Sequence, residues 1–241
     1  LVRSRGLGDV YKRQSLDKET IKGDTVQDLI GVNHGTMKDG PTMVNGKIAG
    51  ALKFNGSSFV DIPGTDSLNF NGKTEISVMA WANAETDDPV KGVVTGCCGS
   101  IVAQRDANSW ALRYDGRNGG AEMEFIICPN WQGDSGFGAP KIKKGEWHHL
   151  MAVVNKDKVF LYLDGALVKE GAFAGPIASA GSETEIGKAQ DGGFIGMIDE
   201  VGIYKRALSA DEVKKNFQAK DPITSVNSGG KLAVCWGNLK K

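Results

Sequence analysis

Long apolar runs are missing from this sequence: none approaches the ~20 residues of a helical membrane span, which excludes such a span within it. An excess of either charge is missing too. The 29 basic residues match the 29 acidic ones and no basic stripe forms, which argues against nucleic acid and anionic membrane as partners. Proline, at 7 residues, is scarce. No G-x-S-x-G, H-E-x-x-H or phosphate loop occurs, so the common hydrolase and nucleotide signatures are absent. No repeat of 20–50 residues is present. The four cysteines, Cys97, Cys98, Cys128 and Cys235, have no histidine at zinc-site spacing. One of the adjacent pair can bridge to Cys128 if neighbouring strands bring them together, making Cys98 and Cys128 the disulfide candidates; free thiols are the alternative.

What is abundant is glycine, 33 residues dispersed among short apolar runs, the mark of many tight turns. A chain of 241 residues suffices for one large all-β domain. Thr74–Ala84 sets Ile76, Val78 and Ala80 against Met79 and Trp81, apolar on both faces like an inner strand. In Lys158–Leu163, Val159, Leu161 and Leu163 face one way and Phe160 and Tyr162 the other. Asp164-Gly165 predicts a type I′ hairpin turn, and Asn55-Gly56 predicts another hairpin. Ser209 followed by Glu212 is a capping box that opens one short helix, about 210–219. Roughly eleven short strands and one helix favour a two-sheet antiparallel sandwich over a parallel α/β sheet.

Leu1–Gln14 has no strand or helix period, carries Arg3, Arg5, Lys12 and Arg13 against Asp9, and resembles translated sequencing-adaptor sequence. It is set aside as a non-native or disordered leader. The domain is placed at residues 23–219, with 220–241 as linker and tail.

Six segments carry a family resemblance: ALKFNGSSFVDIP (Ala51–Pro63), ISVMAWANA (Ile76–Ala84), GEWHHLMAVVN (Gly145–Asn155), FLYLDGALV (Phe160–Val168), EIGK (Glu185–Lys188) and GMIDEVGIYKRALSADEV (Gly196–Val213). In this order and spacing they resemble the laminin-G-like, concanavalin A-like jelly-roll domains. The resemblance implies an all-β jelly-roll sandwich with a C-terminal helix. It implies a non-catalytic carbohydrate-binding or adhesion module, a monomeric domain within a longer secreted or cell-surface protein, whose partner is a glycan or a surface protein; a protein-interaction or structural domain is the alternative, and a glycosidase of the same fold the third reading. It further implies a calcium ion held by Asp28 and Asn33, in a loop similar to the family's D-x-S-G-N pattern, and by the distal Asp199. On the residues alone, Asp28 and Asn33 are turn formers and Asp199 a strand-end acceptor.

For a ligand surface, Trp131, Gln132 and Asp134 (with Phe137) cluster in one long loop, and Arg113 and Asp115 lie near strand ends, as do Arg105, Asp106, Arg117 and Asn118. An aromatic platform among polar groups suits a sugar ring, and loops on a rigid sandwich are where such groups sit. Covering the loop's own core is the alternative role for Trp131. His148 and His149 are adjacent in a strand, point to opposite faces and cannot share a metal. Glycosidases of this fold typically carry E-x-D-x-x-E on one strand; Glu122 and Glu124 supply a pair, but Phe125, Ile126 and Ile127 follow with no third acid.

Overall fold

The computed structural model describes residues 10–85, 98–116, 122–134 and 137–220. In chain order its strands are β1 (Val10–Gln14), β2 (Ile21–Lys22), β3 (Thr25–Val26), β4 (Gly35–Lys38), β5 (Thr42–Asn45), β6 (Gly50–Asn55), β7 (Phe59–Ile62), β8 (Glu75–Ala84), β9 (Cys98–Ala103) and β10 (Trp110–Asp115). They continue as β11 (Glu122–Ile127), β12 (Gly138–Lys141), β13 (His148–Asn155), β14 (Lys158–Leu163), β15 (Ala166–Ala172), β16 (Thr184–Ile186), β17 (Lys188–Ala189), β18 (Gly192–Gly193) and β19 (Ile195–Tyr204), and α1 (Ala210–Gln218) follows.

Two sheets form. The first runs β15–β14–β13–β8–β19–β6–β5, with β1 beside the second half of β19. The second runs β12–β11–β10–β9–β16–β7–β4–β3–β2, and the β17–β18 hairpin joins it at β9. All long pairings are antiparallel; β18 meets β9 in parallel at Gly193 and Ser100. Period-two alternation dictates the sandwich. Ile76, Val78, Ala80 and Ala82 of β8 turn inward to meet Trp110, Leu112 and Tyr114 of β10 and Met123, Phe125 and Ile127 of β11 in one continuous core. The opposite face of β8 carries Met79 and Trp81. There α1 covers it: Met79, Met151, Tyr162 and Tyr204 pack with Leu208 and Val213, and Phe217 stacks on Trp81 at 5.7 Å between ring centroids. His149 is fully buried beside Trp81, and burial lowers its pKa to about 4, so it packs as a neutral ring. His148 instead pairs with Asp164.

The helix begins where the capping box predicts. Ser209 accepts from the Glu212 amide, and the Glu212 carboxylate accepts from the Ser209 amide. Removing this cap with Ser209→Ala is expected to lower stability by about 1 kcal/mol, read as a fall in urea midpoint without a change in slope.

Asp164-Gly165 is the expected tight turn, with φ of 52° and 78°. Asn55-Gly56 is not a hairpin: β6 lies in the first sheet and β7 in the second. The Asn55 carboxamide oxygen accepts from the amides of Ser57 and Ser58, turning the chain from one layer to the other. The other departure concerns the leader. Residues 1–9 lie outside the described residues, but Val10–Gln14 is a strand paired with Val201–Tyr204, and Arg13, Gln14 and Leu16 are buried. The tail 221–241 lies outside the described residues.

Candidate functional site

α1 covers part of the first sheet's outward face, and the outward face of the second sheet carries a cluster of charged side chains. Alternation puts Ala111, Arg113 and Asp115 of β10 on it, beside Ala103, Ser100 and Cys98 of β9 and Ile126, Glu124 and Glu122 of β11. Arg113 is the hub. Only 2% exposed, its guanidinium contacts Glu124 at 2.7 Å, Asp134 at 2.8 Å and Asp191 at 2.6 Å. Glu124 is the neighbouring strand's partner. Asp134 belongs to the loop after β11 and Asp191 to the turn between β17 and β18, so one buried cation ties two loops down onto the sheet. The planar five-donor fork suits this three-way role, which a lysine could not fill.

Above the hub, Asp191 also accepts from Arg105 Nε at 2.8 Å, and the Arg105 guanidinium lies 3.6 Å from the centre of the Trp131 ring. Trp131 packs against the small apolar patch of Ala103, Ala111, Ile126 and Ala189. Asn130 and Trp131 are held in the left-handed region, at φ of 62° and 48°. For a bulky aromatic this conformation is strained, and such strain gathers where a side chain must be aimed.

The five residues expected to contact ligand therefore divide. Trp131 is half-buried and Asp134 exposed at the surface. Arg113 and Asp115 are buried, and Arg113 positions the loops rather than meeting a ligand. Gln132 also departs: its side chain bonds the carbonyls of Pro129 and Ala174 and the Ala174 amide, fastening the loop to the chain beyond β15. Phe137 is buried in the core, and Arg117 and Asn118 lie outside the described residues. Arg105 and Asp191, which complete the surface, were recognisable only as charges near strand ends or not at all, because contact over 86 positions is invisible in the sequence.

A second acidic group lies on the same face. Glu185 of β16 stands opposite Asp61 of β7 and Ala103 of β9. It is 7% exposed and its Oε2 has no donor. Burial first, then the nearby Asp106, Asp61 and Glu183 charges, push its pKa up to about 8.

The expected bridge between Cys98 and Cys128 does not form. Cys98 is disulfide-bonded, its partner lying outside the described residues, while Cys128 is a free buried thiol. The register explains this: Cys98 is opposite Asp115, whereas Cys128 follows Ile127, which is opposite Trp110 at the other end of that strand. Potential ligand atoms of Cys98, Asp115 and Glu124 lie within 4.8 Å of one another. A disulfide sulfur offers no thiolate, however, and Glu124 already holds Arg113, so this group does not suit a metal ion.

The expected calcium set fits no better as a whole. Asp28 Oδ1 accepts from the amides of Arg13 and Ile30, and Oδ2 from the Asn33 amide and carboxamide. The Asn33 carboxamide oxygen accepts from Thr65 and Ser67. Each of these three oxygens already accepts two hydrogen bonds, which occupy its lone pairs, so Asp28 and Asn33 stabilise a turn. Asp199 takes its donor from a different loop, at Ile48.

Known proteins agree with this architecture. The sequence profile of the concanavalin A-like lectin/glucanases superfamily matches residues 54–214. The chain belongs to this superfamily. Among solved structures, domain 4 of AbnA, a GH43 extracellular arabinanase from Geobacillus stearothermophilus in complex with arabinotriose, is similar at 21% identity and a TM-score of 0.64, covering 87% of this chain and 98% of that one. The binding domain of Paraclostridial Mosquitocidal Protein 1 is similar at 16% identity and a TM-score of 0.65, with 86% of this chain matching 51% of that one. A Trypanosoma rangeli sialidase complex is similar at 13% identity and a TM-score of 0.60, with 88% of this chain matching 33% of that one. At these identities the likeness is one of fold, and the superfamily member spans about half of the toxin domain and a third of the sialidase. No curated protein matches the sequence. Among the described residues no helix is long and apolar enough to cross a membrane.

Proposed function

We propose that this superfamily member is a carbohydrate-binding module of a larger secreted or cell-surface protein, and that its ligand surface is the Trp131–Arg105 stack with Asp134 and Asp191 above the second sheet. The observation that carries the reading is Trp131: a strained, half-buried aromatic stacked with Arg105 beside a buried ion-pair hub, a pair that offers a sugar a preordered surface at little ordering cost. The arabinotriose-bound relative of similar length supports the ligand class. Both guanidiniums of this surface are committed to carboxylates, so neutral glycans are favoured over sialylated or uronate ones. A glycan array followed by calorimetry tests this. Neutral oligosaccharides should dominate, and Trp131→Ala should weaken the best of them about tenfold or more, the ~1.4 kcal/mol equivalent of one stacking contact. Binding restricted to acidic glycans, or unchanged in the variant, would contradict the assignment.

A second reading has one observation in its favour. Glu185, whose carboxyl burial pushes up toward the protonated form, is opposite Asp61 in a strand pair, and two neighbouring carboxyl groups are what glycosidases use. Release of reducing sugar from a neutral polysaccharide, abolished by Glu185→Gln, would establish it.

A further inference from the structure

One continuous row of paired residues crosses the outward face of the second sheet. Ile126 of β11 stands opposite Ala111 of β10, Ala111 opposite Ala103 of β9, and Ala103 opposite Glu185 of β16. Glu185 then stands opposite Asp61 of β7, and Asp61 opposite Thr36 of β4. Residues directly opposite one another share a face. The small apolar patch under Trp131 therefore runs without a break into Glu185, Asp61 and Thr36. The residues that flank them along their strands point the other way: Val60, Ile62 and Ile186 lie in the core.

Two features of this row call for a ligand. Glu185 is 7% exposed, its Oε2 has no partner, and the charges that bear on it are the carboxylates of Asp106, Asp61 and Glu183. A buried carboxyl oxygen without a partner costs free energy that a ligand hydroxyl would recover. The second feature is Phe59, two positions before Asp61 on the same face of β7. Its ring is half-buried, yet among the described residues it joins none of the three apolar clusters. The Lys188 ammonium lies over it, 5.4 Å from the ring centre. Lys188 precedes Ala189 of the Trp131 patch, so β17 links the two aromatic positions.

We infer that the Trp131–Arg105 surface continues over Glu185 and Asp61 to Phe59, and that it takes a linear neutral oligosaccharide of three or more units laid across the strands. This rests on the glycan reading and gives that ligand a length and a direction. From Ala103 to Thr36 the row crosses three strand spacings of about 4.8 Å, roughly 14 Å in all, the reach of about three sugar units end to end. Trp131 with Arg105 meets one end of the chain. Hydroxyls both donate and accept, so they serve the Glu185 and Asp61 carboxyls in either protonation state. At the far end, the group over the Phe59 ring is the tip of a flexible lysine, which a sugar can displace. A uronate or sialate would set its own charge against the acids of the row.

The test is calorimetry of the full chain with linear arabino-, xylo-, cello- and manno-oligosaccharides of increasing length, from the single sugar upward. In the series that binds, affinity is expected to climb about tenfold or more from the disaccharide to the tetrasaccharide and then to level off. Phe59→Ala and, separately, Glu185→Ala should flatten that climb, weakening the tetrasaccharide about fivefold or more and the disaccharide less than about twofold. Trp131→Ala should weaken every length. Phe59 stands outside the apolar clusters and Glu185→Ala removes a buried acid without a partner, so both variants should fold, which thermal melts check; if one does not, the other remains the test. Affinity that stops rising at the disaccharide, or a tetrasaccharide bound equally by the parent and both variants, would overturn the extension and leave the Trp131 surface standing. Absence of binding in every series would remove the glycan reading and the extension with it.

Discussion

Arg113→Ala is expected to destabilise the fold by about 3–5 kcal/mol, the range for removing one partner of a buried ion pair. Glu124 is 1% exposed and would lose the guanidinium that neutralises it. Asp134 and Asp191 would lose the same cation, so the loop after β11 and the β17–β18 turn would both come free of the sheet. Urea unfolding read by fluorescence should show a large drop in midpoint, and hydrogen exchange should accelerate at residues 130–134 and 188–193. Replacing the central pair together, Arg113→Met with Glu124→Met, should recover much of the loss, because an apolar pair of similar volume has no charge to desolvate. If Arg113→Ala unfolds at the same urea concentration as the parent, the hub is a bystander.

The contrast between what was and was not legible in the sequence follows from contact range. The capping box at Ser209, the turn at Asp164-Gly165 and the two faces of β8 are local patterns, so residues a few positions apart announce them. Asn55-Gly56 announces a turn equally clearly but not which layer the next strand joins; that depends on which strands lie beside β6 and β7 after folding. The site is the extreme case. Trp131 and Asp134 were visible as an aromatic and an acid in a loop, but the hub draws on β10, β11 and two loops, with Arg113 and Asp191 separated by 78 positions. Nothing in the spacing of charges distinguishes a buried, thrice-paired arginine from a solvated one. The same blindness placed Asp28 and Asn33 at an ion: their residue types suit ligation, but their oxygens already face amide and hydroxyl hydrogens.

Glu185→Gln should stabilise the protein at alkaline pH. The Glu185 carboxyl is raised from 4.5 to about 8 in the folded state, so between these values the native state holds a proton that the unfolded chain has lost. The stability this provides is complete below pH 4.5 and falls as pH rises toward 8. At pH 8.5 the parent buries an ionised Glu185 near Asp61, Asp106 and Glu183, and the glutamine variant does not. The variant should therefore exceed the parent by about 2–4 kcal/mol at pH 8.5 and match it near pH 4.5. Chemical denaturation at half-unit pH intervals measures this. Parallel curves for the two proteins would show that Glu185 is solvated and ordinary.

The most direct check on the central claim, that a rigid two-layer frame presents its ligand surface above the second sheet, is an amide shift map of the labelled protein titrated with its best neutral oligosaccharide. Perturbations are predicted at residues 105–106, 130–134 and 188–193, with α1 and the first sheet silent and the sugar intact at the end of the titration. Perturbations confined to α1 and the outward face of the first sheet, or a cleaved sugar, would contradict it.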